Sequence, residues 1–424
     1  MLVLLFALAR IGAALAPLNF RLAPPEWQAL LADCTPCLLV CDAHWEAAAR
    51  SLPLEVRRVE LLTAEPLAED APRQDRPQAP CLLVYTSGTT GKPRGAVHTQ
   101  ANLLANMQIV GASASLFATD LVASMLPMFH VGGLCIQTLP ALYAGASVLL
   151  LPRFEPGQAL ECFARERPSL TLQVPATMQA LIGHAHWAAA DLSSLRAIWA
   201  GSSTLPRHLV EAFHARGLPV CNVYGATETG PFSITLGPEH AASHLGSCGW
   251  PAPGVEVRLA GSDSQPDGVG EICLRAPNVV SHYWPDLPAQ DADGWFHSGD
   301  MARQAADGSY TVVGRAKDMV ISGGENIYPA EVENALAAHP AVGECAVLGL
   351  PDARWGEALV AVVVLRAGQS LTLEEMTDFL APQLARYKLP RQLVCVDALP
   401  KTALGKVQKN LLPDLLSLQL LQNK

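Results

Sequence analysis

Apolar residues in this chain gather in short β-rich runs separated by amphipathic or Gly/Pro-rich stretches: CLLVY from 81, ASVLLL from 146, LTLQV from 170, LRAIWAG from 195 and PVCNVYG from 219. Such alternation predicts an α/β fold, a large N-terminal domain of doubly wound, largely parallel sheets covered on both faces. From about residue 245 the texture changes. GSCGWPAPGVEVRLAGSDSQPDGVGEICLRAP sets Gly, Pro and Asp between short alternating strands, which predicts an antiparallel sheet or a small β-barrel-like subdomain joined by tight turns. After GSYTVVGRAKD the helix and strand alternation returns, with YPAEVENALAAHP as an amphipathic helix and EALVAVVVLR as a buried strand. The pattern places a boundary near 314–318, giving a domain over 1–314 and a small α+β domain over 319–424. The opening MLVLLFALARIGAALAPL lacks a basic n-region and is interrupted by Arg10. It reads as a helix of the fold, not as a signal peptide, and is too short and broken to span a bilayer.

Length and composition narrow the class. With 424 residues, half of them apolar, the chain can bury the cores of about two or three domains. A net charge of −10 without a long basic run argues against a nucleic acid or an anionic membrane as the main partner. Eleven scattered cysteines do not form a disulfide framework and suit a reduced, cytoplasmic setting. Cys34, Cys37 and Cys41 have metal-like spacing but no second cluster, and are expected as core residues. The same holds for His184 and His186.

The candidate chemistry begins at LVYTSGTTGKPRGAVH, residues 83–98. A Walker loop needs glycine five positions before its Gly-Lys pair and a hydroxyl residue after it. Here those positions are Thr86 and Pro93, which removes the Walker reading. A phosphate grip remains: Gly88 and Gly91 can turn backbone N–H groups inward, Thr86, Ser87, Thr89 and Thr90 offer hydroxyls, and Lys92 and Arg94 add charge.

YTSGTTGKPRG resembles the signature loop of the adenylate-forming superfamily of acyl-CoA synthetases, luciferases and peptide-synthetase adenylation domains. Four further stretches match in order: NVYGATETG (222–230), GWFHSGD (294–300), GRAKDMVISGGENIYPAEVE (314–333) and PKTALGKVQK (400–409). The resemblance covers essentially the whole chain. It implies ATP, Mg²⁺ and coenzyme A as cofactors and co-substrates, a small carboxylic acid as the other partner, and leaves a homodimer open. By the same resemblance Glu228 is the magnesium residue, with Thr89, and Thr227 contacts phosphate. Asn222, Tyr224 and Gly225 border the adenine, as do Gly201, Ser202 and Ser203, which separate it from the acyl group. Asp300 accepts from the ribose hydroxyls, with Arg315 as a donor beside it; Ser298 stands where the family usually has Thr. Lys406 bridges carboxylate and α-phosphate, while Lys401 and Lys409 are left as solvated charges. Residues 315–318 form the hinge about Lys317, and Gly323 and Gly324 come to line the pantetheine path once the C-terminal domain swings.

His130, in LPMFHVGGLC, either borders the acyl channel or is a satisfied core histidine, and Gly132 and Gly133 leave room behind it. The reading that results is an ATP-dependent carboxylate–CoA ligase acting on a fatty acid through an acyl-adenylate. A malonyl-type or aryl-acid CoA ligase and an acyl-carrier-protein ligase are the alternatives within the same chemistry; a truncated nucleotide-binding homologue is the alternative outside it. Relatives of this family begin earlier than residue 1 does, so an exposed apolar surface is expected near the N-terminus.

Overall fold

The protein, seen here as a computed structural model, is described over residues 1–62, 76–86, 93–201, 205–264, 268–322, 325–401 and 406–416. At its centre lies a seven-stranded sheet. Its spatial order is Trp250–Pro251, Ile234–Thr235, Val220–Tyr224, Ala197–Gly201, Leu170–Gln173, Leu121–Ser124 and Ser147–Leu150. The last five are parallel, and the first two close one edge antiparallel. The runs expected at 146, 170, 195 and 219 therefore all become strands of one sheet.

Both faces of that sheet are apolar because side chains alternate along a strand. Leu170, Leu172, Trp199, Cys221 and Val223 enter one core. Ala123, Ile198, Ala200 and Val220 enter the other, against Pro156–Glu166, Pro175–Ile182 and Arg207–His214. Each of these helices carries three or more buried residues.

CLLVY departs from the parallel expectation. Pro80–Thr86 pairs antiparallel with Arg94–Thr99, which pairs antiparallel with His282–Tyr283. The cause is connection length: residues 87–93 suffice for a hairpin, whereas a parallel crossover needs a dozen or more. The Gly/Pro-rich region takes the antiparallel-sheet form of its two alternatives, with Glu256–Ala260, Val269–Arg275, Phe296–Gln304 and Tyr310–Arg315 in sequential order.

A short turn, Ala316–Asp318, leads from this sheet to the last one, built on Val342–Asp352 and Gly356–Leu365. Gly356–Leu365 is the buried strand expected there, and Pro329–Leu336 the amphipathic helix, with Val332 and Leu336 fully buried. Leu2–Ile11 is helical as expected and leaves Val3 and Phe6 exposed, at 75% and 53% of their surface. No helix among the described residues is long and apolar enough to cross a membrane. All eleven cysteines are free; of the 34–41 group Cys34 is buried but Cys37 is exposed and Cys41 half-buried, so of those three only Cys34 is a core residue.

His98, in the Arg94–Thr99 strand, is fully buried, and neither ring nitrogen has a side-chain partner. Burial holds its pKa at about 4 despite a backbone contact at Thr227. The unfolded chain, with an ordinary histidine pKa near ~6.5, takes up a proton that the fold refuses. Stability from this group is complete above that value and is lost as pH falls towards about 4. His98→Leu should therefore flatten the fall of the thermal midpoint between pH ~6.5 and ~4; parallel curves for the variant and the parent would contradict this.

Candidate active site

The signature hairpin ends in Thr86, whose hydroxyl reaches the Arg94 carbonyl at 3.5 Å across the strand pair. Ser87, Gly88, Thr89, Thr90, Gly91 and Lys92 lie outside the described residues. Arg94 stacks over the Tyr283 ring, 5.6 Å from its centroid. The hairpin is thus tied to a residue that no motif had pointed to.

Tyr283 matters because of what its hydroxyl does. Val220–Tyr224 runs into a turn of 3₁₀ helix at Thr227–Thr229, fixed by the Thr229 hydroxyl on the Ala226 carbonyl and by Asn278 on the Thr229 carbonyl. Gly225 is required in this turn, since a Cβ there would sit 2.0 Å from the Pro231 carbonyl oxygen. The turn buries Thr227 and Glu228 together, and Tyr283 donates to Glu228 Oε1 at 2.8 Å. Burial, reinforced by the Glu228 charge, raises the Tyr283 pKa well beyond its ordinary value, so it remains a donor. Among the described residues no lysine or arginine pairs with Glu228. A buried carboxylate with one oxygen engaged and no cation beside it suits a hard divalent ion such as Mg²⁺.

Asp300 lies at the junction of three elements. Tyr224 donates to Asp300 Oδ2 at 2.9 Å, and Arg315 Nε pairs with Oδ1 at 2.8 Å from the directly opposed position on the next strand. Ser298 accepts from the Asp300 N–H at 3.1 Å and donates to the Ile272 carbonyl at 2.7 Å, which is the work a threonine hydroxyl would do at that site. Asn222, one strand position before Val223, donates to the Ser247 carbonyl at 3.1 Å. Gly201 ends the neighbouring strand against the Val223 carbonyl. Ser202 and Ser203 lie outside the described residues.

Lys406 comes to the same place from the far end of the chain. Partial burial lowers its pKa, and the Arg315 and Lys317 charges add to this while Asp300 and Asp318 oppose it. The side chain keeps solvent contact, as a lysine at the mouth of a cleft does. It also acts on His130, whose pKa is held at about 4, first by burial and then by the Lys406 charge. The Gly132 N–H donates to His130 Nδ1 at 3.0 Å. The imidazole is therefore neutral near pH 7, with its proton on Nε2. Lys317 is exposed in the Ala316–Asp318 turn; Gly323 and Gly324 lie outside the described residues. Lys401 and Lys409 are not idle surface charges, pairing with Glu344 at 2.6 Å and Glu333 at 2.7 Å. Sequence spacing cannot reveal such pairs between distant strands and helices.

Residues 1–284 match the AMP-binding enzyme family, and residues 331–406 match its C-terminal domain. The chain belongs to the AMP-binding enzyme family. It is similar to the indoleacetate–CoA ligase of Aromatoleum aromaticum, with 45% identity over 97% of this chain and 85% of the relative. It is also similar to a feruloyl-CoA synthase of an Amycolatopsis species, with 41% identity over 96% of this chain and 84% of the relative. Among solved structures, ATP-bound MatB from Rhodopseudomonas palustris superposes with a TM-score of 0.87 at 29% identity, covering 98% of this chain and 86% of that one. AMP-binding enzymes of this kind use ATP, Mg²⁺ and coenzyme A.

If Tyr283 orients Glu228 for the metal, Tyr283→Phe should raise the Mg²⁺ concentration for half-maximal activity by about 10-fold. Its thermal midpoint should stay within a few degrees. A magnesium titration checks this, and an unchanged midpoint concentration would count against the assignment.

Proposed function

We propose that this chain ligates an aryl or arylalkyl carboxylic acid to coenzyme A through an acyl-adenylate. That it is an acid–CoA ligase of the AMP-forming kind is supported by the family match and by relatives named as CoA ligases. The aromatic class is our refinement of the fatty-acid expectation. It rests on two relatives, at 45% and 41% identity, named for aromatic acids.

The observation that carries the mechanism is that Lys406 lies within electrostatic reach of His130, Asp300 and Arg315, the last two paired with each other. In the first step the acid's carboxylate oxygen bonds to the α-phosphorus of ATP and pyrophosphate leaves. Lys406 bridges the carboxylate and the α-phosphate and stabilises the charge that spreads between them. Asp300 accepts from the ribose hydroxyls, its orientation fixed by Tyr224 and Arg315. Neutral His130 presents Nε2–H to the acid without adding a second cation beside Lys406. Thr86 and the 87–92 segment, with Thr227, hold the departing phosphates. Bound Mg²⁺, at Glu228 and Thr89, would neutralise charge on those phosphates. In the second step the coenzyme A sulfur bonds to the acyl carbon, the thiol proton is lost and AMP leaves.

The two steps need different surfaces at the acyl carbon. Rotation of the C-terminal domain, 319–424, about 315–318 would remove Lys406 and bring the segment with Gly323 and Gly324 to the thiol path. The turn at Ala316–Asp318 supports this reading, since it separates the Asp300–Arg315 pair from the first C-terminal strand by so few residues.

Pyrophosphate release with a panel of aryl, arylalkyl and fatty acids, each with and without coenzyme A, tests the substrate class. Aromatic acids should be turned over with the highest kcat/KM, and preference for a long-chain fatty acid would restore the alternative. Lys406→Ala should lower pyrophosphate release by about 100-fold or more while leaving thioester formation from supplied acyl-AMP nearly intact. Equal loss of both steps would exclude the two-position scheme.

A further inference from the structure

Gln137 is 4% exposed, and neither its amide nitrogen nor its amide oxygen has a hydrogen-bond partner among the described residues. Buried amides are almost always paired, so an orphan with both donor and acceptor free calls for an occupant. The amide borders a small internal cavity lined also by Ser124, Met125, Leu126, Gly133 and Leu172. Ser124 spends its hydroxyl on Thr138 at 2.9 Å, and Thr138 donates to the Gly133 carbonyl at 2.7 Å. Gln137 is thus the side chain of this lining with hydrogen-bonding capacity to spare.

Two independent features mark the cavity as a ligand position. First, Ser124 and Leu172 stand at the carboxyl ends of Leu121–Ser124 and Leu170–Gln173, neighbouring parallel strands. From the first of these the chain passes to Ser147–Leu150 on one side and then returns to Leu170–Gln173 on the other. That reversal is a topological switch point, where open parallel sheets place their ligands. Second, the cavity wall includes the loop that carries His130. Gly133 packs so tightly under that loop that a Cβ would meet the Pro127 carbonyl oxygen at 2.4 Å. Gly132–Ile136 is a π-helical turn, after which Gln137 leaves helical geometry at φ −128° and ψ −40°. Such turns recur at functional sites, and this one carries the chain from His130 to the buried amide.

We propose that Gln137 is a specificity-determining residue, its amide reading a ring-borne N–H or hydroxyl at the end of the acid remote from the carboxylate. This rests on the aryl-acid reading above and sharpens it to aromatic acids bearing a polar ring group. The carboxylate lies at His130 and Lys406, and the ring donor meets Gln137 Oε1. A ring acceptor would meet Nε2 instead.

The test uses pairs of acids alike in shape but differing in the ring donor: indole-3-acetate against 1-naphthaleneacetate, and 4-hydroxycinnamate against cinnamate. Pyrophosphate release gives kcat/KM for each. The parent enzyme should favour the donor-bearing acid of at least one pair by about 10-fold or more. Gln137→Leu should bring that ratio to within about threefold, with kcat/KM on the donor-free acid kept or raised, and Gln137→Glu should keep the preference. Gln137→Met serves if the leucine variant does not fold. An unchanged ratio in the apolar variant, the result expected if the amide only holds a buried water, overturns this proposal alone. A parent enzyme that does not discriminate within either pair also overturns it. No release with any aryl acid overturns the aryl-acid reading and this proposal with it.

Discussion

The Asp300 carboxylate is the point on which the three bodies of this enzyme meet. Its two oxygens are divided between Tyr224, on the central parallel sheet, and Arg315, the last residue of the antiparallel sheet before the turn to the C-terminal domain. A buried acid in such surroundings needs partners of this kind, because an uncompensated charge there would be costly. Satisfying it fixes the angle between two sheets and the starting point of the third. The same charge faces Lys406, which partial burial and the Arg315 and Lys317 cations would otherwise discourage from remaining protonated.

Glu228 illustrates a second use of burial. Its carboxylate is nearly enclosed, yet among the described residues the one side-chain donor it receives is a tyrosine from a two-residue strand more than fifty positions away. That strand also pairs with the signature hairpin and lies beneath Arg94. The strands of the signature hairpin and the Glu228 carboxylate are therefore joined through Tyr283. His98, on the Arg94–Thr99 strand of the same hairpin, is neutral and buried.

Around His130 the structure relies on absence of side chains and on irregular backbone. Gly133 cannot be replaced under the His130 loop without moving backbone, and the widened helical turn that follows ends at the orphaned Gln137 amide. A regular α-helix starting at His130 would turn those residues differently.

The sequence by itself determined a good part of this. Periodicity located four of the five parallel strands and missed Leu121–Ser124, because a strand covered on both faces reads as an apolar run only where it is long enough to stand out. Five ordered motifs singled out the 83–98 stretch, the Thr227–Glu228 turn, Asp300, Arg315 and Lys406 as candidates, because charged and hydroxyl residues at fixed spacing within one loop are legible locally. Tertiary structure alone decided the antiparallel pairing of CLLVY, the Tyr283 hydroxyl on Glu228, the Tyr224 hydroxyl on Asp300, the ion pairs of Lys401 and Lys409, and the loneliness of Gln137. Each of these is a contact between residues distant in the chain, or the lack of one, and depends on burial and register that no local pattern encodes.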